Sequence, residues 1–324
     1  MDTIVEANRL ADSGSPYLEQ HAENPVRWQP WDADALEAAV AADVPIFLSV
    51  GYAACHWCHV MADESFEDPA VAELLNTAFV PIKVDREERP DIDRVYQTIC
   101  QLVTGGGGWP LSVWLTPELE PFYVGTYFPR DPDPQRRIPG FIEVCESISR
   151  SWASDRSALE ERAGQWVDAI EQHSRPVTDG QSQADGVSAD ADTDRTVRTL
   201  LRSMDTVHGG FGSSGPKFPQ ARRLRYLMAQ SRWREDPAVD EAVRRTLDAM
   251  AAGGLYDQLG GGFHRYTVDR SWTVPHFEKM LYDNAELLAV YSLAADVYDD
   301  PEYERVAVGT AEALLGECME PDGG

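Results

Sequence analysis

Cys55 and Cys58 stand one helical turn apart in the run Cys55-His56-Trp57-Cys58-His59. The apolar stretch Pro45-Ile46-Phe47-Leu48-Ser49-Val50 precedes them and a helix is expected to start at them. At a helix N-terminus the unpaired N–H groups and the dipole favour an anion. Cys55 is therefore the expected attacking thiolate, exposed and acidic, and Cys58 the resolving thiol. A protonated His56 or His59 would lower the Cys55 pKa further, and Trp57 would shield or present the pair. Three other chemistries stay open. Cys55, Cys58 and His59 match the C-x-x-C-H attachment motif for c-type haem, although the motif sits in a buried region. The same three residues would give a zinc site three ligands, with no second C-x-x-C or spaced His pair to complete it. Two inert core cysteines are the fourth reading. Thiol–disulfide chemistry is preferred, with no metal and no cofactor expected.

Such a site needs a strand to end at the cysteines and a helix to begin there. Asp32 is placed to cap a helix through Ala35, Leu36, Ala39 and Val40, and the run to Val50 is of buried-strand type. A helix near Val71 to Ala78, a strand Phe79 to Val84, and a helix opened by Pro90-Asp91 follow. Leu111 to Leu115 and Pro121 to Val124 read as two strands around the turn Thr116-Pro117-Glu118. The order β-α-β-α-β-β with a C-x-x-C after the first strand reads as thioredoxin-like. In that fold a cis-proline precedes a strand and faces the cysteines; Pro110, after Gly105 to Gly108 and Trp109, is the candidate.

The remaining sequence is divided by composition. Pro176 to Asp194 holds five aspartates and neither Lys nor Arg, and is expected to be an acidic linker. Domains are accordingly expected at 1–175, 176–194 and 195–324, in line with roughly 150 residues per domain. Beyond the linker the apolar spacing is helical throughout. Gly209-Gly210-Phe211 and Gly261-Gly262-Phe263 recur 52 residues apart, and Gly323-Gly324 ends the sequence where another repeat is expected to begin.

The chain has 55 acidic against 28 basic residues and a net charge of −27. That charge repels a phosphate backbone, so nucleic acid is not an expected partner. Only Lys83, Lys217 and Lys279 are lysines; the other basic residues are arginine. The acid excess and lysine loss together suggest a halophile's cytoplasm, where salt screens charge within about 3 Å at molar strength. Neither a secretory signal nor an apolar run of membrane-spanning length is present, so no membrane association is expected. Five thinly spread cysteines do not form a disulfide framework.

Asn8-Arg9-Leu10, Ser15-Pro16-Tyr17-Leu18, Gln20-His21-Ala22, Cys55 through Met61, Lys83 through Asp93, Gly107-Gly108-Trp109-Pro110, Gly125 through Pro129, Lys217-Phe218-Pro219 and Pro275 through Asn284 together carry a resemblance. The chain resembles the spermatogenesis-associated protein 20 family. The resemblance implies an α/β thioredoxin-like domain joined to an all-α (α/α)6 toroid, six-hairpin glycosidase-like and related to sugar epimerases. With about 55 residues per hairpin the toroid is expected to be incomplete. His264, Tyr266, Trp272, His276, Glu278 and Asp283 cluster around the second glycine loop as a candidate pocket, an aromatic platform and acid–base groups for a sugar ligand. Two functions follow: a thiol–disulfide protein acting on an unidentified protein client or thiol reductant, or a carbohydrate-acting or carbohydrate-binding protein with a regulatory or structural thioredoxin-like domain.

Overall fold

The computed structural model describes residues 4–135, 138–174 and 189–319. It divides into two compact units, Met1–Val177 and Thr178–Gly324. Among the described residues no helix is long and apolar enough to cross a membrane.

The first unit runs α1 (Pro16–Glu19), α2 (Ala33–Ala42), β1 (Ile46–Gly51), α3 (His56–Met61), α4 (Pro69–Ala78), β2 (Val80–Asp85), α5 (Pro90–Thr104), β3 (Leu111–Leu115), β4 (Pro121–Gly125), α6 (Phe141–Ser154) and α7 (Arg156–Ser174). The strands form one mixed sheet in the order β2-β1-β3-β4. β1 is parallel to β2 and antiparallel to β3, which is antiparallel to β4. Local chemistry sets the boundaries. Asp32 caps α2, Asp68 caps α4 ahead of Pro69, and Gly105 ends α5 with φ 78°.

Both sheet faces are covered, so β1 and β2 are buried at every position. The two-residue strand period sorts the side chains. Ile46, Leu48 and Val50 pack with Ile82, Val84 and the α5 residues Ile92, Ile99 and Cys100. Phe47 meets Trp28, Phe66, Trp114 and Phe141 in an aromatic cluster. Ser49 shares the Phe47 parity and lies in register with Lys83.

The second unit is helical: α8 (Ala189–Ser203), α9 (Ala221–Arg234), α10 (Pro237–Ala252), α11 (Leu281–Tyr298) and α12 (Pro301–Ala313). The stretch expected to be linker is helical from Ala189 onward, because Val197 packs in the core and anchors the preceding turns. Residues 176–188 of that stretch, and the last glycine pair Gly323-Gly324, lie outside the described residues.

The repeat is visible atom by atom. Asp205 and Asp257, 52 residues apart, each accept two backbone N–H bonds from the following loop. Each loop closes with a bridge, Met204 to Phe211 and Tyr256 to Phe263. Gly209, Gly210, Gly261 and Gly262 all have φ between 70° and 75°, a region that costs glycine little. The helix pairs also repeat: Glu235 and Asp299 are left-handed, Asp236 and Asp300 cap, and Pro237 and Pro301 begin the next helix.

Candidate active site

The cysteine pair sits where β1 ends. Cys55 is the N-cap of α3, and its Sγ accepts the Cys58 backbone N–H at 3.2 Å. Cys55 and Cys58 are joined in a disulfide. The expected exposed Cys55 is not found: Cys55 is 3% and Cys58 2% exposed. Both cysteines are therefore buried in the disulfide form. The helix that carries the pair is also short, passing into a wider π-type turn at Ala62–Phe66.

Around the pair the surface is aromatic and histidine-bearing. Trp57 is 43% exposed, 4.9 Å from the Tyr127 ring, and Tyr127 donates to Glu64 at 2.6 Å. His56 is exposed with its ring 5.5 Å from Trp57. His59 Nε2 lies 2.7 Å from the Ala53 carbonyl; a carbonyl only accepts, so that nitrogen carries the proton. The Trp109–Pro110 bond is cis. Trp109 is 5.8 Å from Tyr52, between β1 and Cys55, and the Arg86 guanidinium lies over both rings. Trp109 also donates to Asp93 at 2.8 Å.

Beneath the cysteines lies a buried polar cluster to which the sequence reading gave no role. Lys83 donates to Ser49 at 3.2 Å and lies over the rings of Trp28, Phe66 and Tyr17. Burial holds its pKa well below the usual lysine range. Ser15 donates to Asp85 at 2.7 Å, and Asp85 accepts the Glu87 N–H. His21, 2.9 Å from Asn24 through Nδ1, is pushed down to about 2, mainly by burial and then by Lys83. The signal was available, since Lys83 is one of three lysines and stands in a strand.

In the helical unit the structure brings together only part of the candidate pocket. His276 Nε2 is 3.0 Å from Glu278, and the His276 ring stacks on Tyr266, which stacks on Phe218. His264 contacts Phe277 edge-on and is lowered in pKa by burial. Trp272 is no sugar platform: it is fully buried, donates to the His208 carbonyl at 2.9 Å, and fills the space that glycine leaves at Gly210. Asp283 lines, with Phe218 from the end of that stack and with Tyr282 and Glu286, a cavity of about 350 Å³. The residues missed were Asp205 and Asp257, and their 52-residue spacing was the signal.

A mixed four-stranded sheet with a C-x-x-C pair after β1 and a cis-proline before β3 defines a thioredoxin-like domain. The chain belongs to the spermatogenesis-associated protein 20 family, and residues 7–171 match the family described as Thioredox_DsbH, protein of unknown function, DUF255. Spermatogenesis-associated protein 20 of Rattus norvegicus is 42% identical over 324 residues, covering 98% of this chain and 40% of the relative. The chain thus spans about 40% of the length of the curated relatives it matches. Cellobiose 2-epimerase from Spirochaeta thermophila aligns at TM-score 0.38 and 23% identity, over 41% of this chain and 37% of that one. A DsbH oxidoreductase aligns at TM-score 0.28 and 19% identity, over 38% and 81%. The fold is a thioredoxin-like domain followed by a helical unit.

Proposed function

We propose that the chain is a thiol–disulfide oxidoreductase whose client is a protein dithiol or disulfide, with Cys55 as the attacking thiol and Cys58 as the resolving thiol. The observation that carries this reading is the pair's placement, with Cys55 Sγ capping α3 and Cys58 directly behind it. A thiolate in that position is stabilised by the same N–H groups. Trp57, exposed beside the pair, offers a client an apolar contact. Equilibration in graded dithiothreitol redox buffers is expected to give one reversible two-electron transition that disappears in Cys55→Ser. A folded protein whose pair stays in one state across the series would overturn the reading.

A reducing, salt-rich cytoplasm is the setting we infer for it. The three lysines support this, because none is a surface charge: Lys83 and Lys217 are buried and Lys279 is paired with Asp257 and Glu317. Exposed cations are arginines, spread over a chain of net charge −27. Salt screens that self-repulsion, so the denaturation midpoint is expected to rise steadily between 0.1 and 2 M KCl, on the order of several degrees. A flat or falling midpoint would remove the salt-adapted reading.

A further inference from the structure

We propose that Tyr17, from α1 before the sheet, is the hydrogen-bond donor that receives the charge on Cys58 when the disulfide opens. Gly51, the last residue of β1, shows the geometry. A Cβ built there would overlap the Tyr17 hydroxyl and stand 2.8 Å from Cys58 Sγ. Hydroxyl and sulfur therefore converge on one missing side chain, and glycine at position 51 is what lets them approach.

The surroundings leave this hydroxyl for that task. Tyr17 is 1% exposed, and among the described residues its hydroxyl has no hydrogen-bond partner. Its neighbours are committed elsewhere: Lys83 to Ser49, Asp85 to Ser15 and the Glu87 N–H, and His21 to Asn24. A buried donor without a partner has lost its water and gained nothing in return. Burial, and then the Asp85 carboxylate, push the phenol pKa up, so it stays protonated and donates. A disulfide sulfur is a poor acceptor, whereas a thiolate is a strong one. The unmet donor is thus satisfied only in the reduced form.

The inference rests on the proposed thiol–disulfide activity. An incoming thiolate attacks Cys55 Sγ and forms a mixed disulfide. The Cys55–Cys58 bond breaks and its electron pair goes to Cys58 Sγ, where the Tyr17 O–H donates to the new thiolate. A second thiolate then attacks the client sulfur and releases Cys55, so two client thiols become one disulfide as the protein disulfide is reduced. In reverse, the Cys58 thiolate attacks the mixed disulfide and the client thiolate leaves.

Tyr17→Phe tests this, because it removes only the hydroxyl. The dithiol–disulfide equilibrium is expected to shift roughly ten- to a hundredfold toward the disulfide, the equivalent of one charge-assisted hydrogen bond, or about 30–60 mV. The oxidised variant is expected to be at least as stable as the parent. In a Cys58→Ser background, attack by Cys55 on a small aromatic disulfide is expected to proceed at the same rate with and without Tyr17→Phe, which separates a Cys58 donor from a general change of the site. A fluorinated tyrosine at position 17, a stronger donor that keeps ring and hydroxyl, is expected to shift the equilibrium the other way, and it decides the matter if the phenylalanine variant does not fold. An equilibrium unmoved by either substitution, in a parent that cycles, overturns the role of Tyr17 alone. A parent that does not cycle overturns the proposed activity and this inference together.

Discussion

Cys55→Ser is expected to reduce dithiol–disulfide exchange by at least about a hundredfold, to the uncatalysed background, while Cys58→Ser traps a mixed disulfide with the client. The two results differ because the proposed roles of the two sulfurs differ. Cys55 caps α3, so a thiolate there meets the Cys58 N–H that its Sγ already accepts at 3.2 Å. A serine hydroxyl keeps the cap but is not ionised near neutral pH, and the nucleophile is lost. In Cys58→Ser the first attack remains and the intramolecular resolving step is missing, so the intermediate accumulates. Mass spectrometry of the quenched reaction with a peptide disulfide distinguishes them. A trapped adduct on Cys58 in Cys55→Ser, formed as fast as the parent's adduct, would reverse the assigned roles.

Asp205→Ala is expected to unfold the helical unit, at a cost of about 3–5 kcal/mol. The side chains of Asp205 and Lys217 are both fully buried and 2.8 Å apart. Arg270 adds two bonds at 2.6 and 2.9 Å, and the Val207 and His208 N–H groups two more. Alanine would leave the Lys217 ammonium buried with only the Gly209 carbonyl, and would free the loop that sets the glycine turn. Asp257→Ala is expected to cost less, because the Lys279–Asp257 pair is partly exposed. The pH dependence has a definite sign. Arg270, then Lys217 and the loop N–H groups, hold the Asp205 carboxyl well below the usual carboxylate range. Its contribution is therefore complete above the unfolded carboxylate range, near pH 4, and is lost as pH falls through the lower folded value. Denaturant unfolding at pH 7 and pH 3 checks both statements. A loss under 1 kcal/mol at pH 7 would show that the unit does not depend on this ion pair.

How much of this was legible in the sequence depended on how local each cause was. Asp32, Asp68-Pro69 and Pro90 are caps and first-turn residues acting on their own helices, so α2, α4 and α5 begin at those residues. The apolar run Pro45 to Val50 reads as a strand of buried type, and β1 is buried at every position. Long-range pairing was less visible. Tyr17 lies 41 residues before Cys58, and nothing in the spacing says that Gly51 lets them meet. Trp272 looked like a ligand platform because Trp beside His and Glu suits one; the positive-φ glycine at 210 instead left a hole that its ring fills. Cys55 is expected to be exposed on the basis of its helix position alone, and the fold buries it.

The sequence by itself determined the helix caps, the strand parity, the C-x-x-C pair and the glycine repeat, since each depends on residues within a few positions or on a fixed period. Only the tertiary structure decided what lies against the sulfurs and against Asp205. Burial removes water as the default partner for every polar group, so the role of Tyr17, Lys83, Asp205 or Lys217 depends on which distant donor or acceptor the fold brings within about 3 Å.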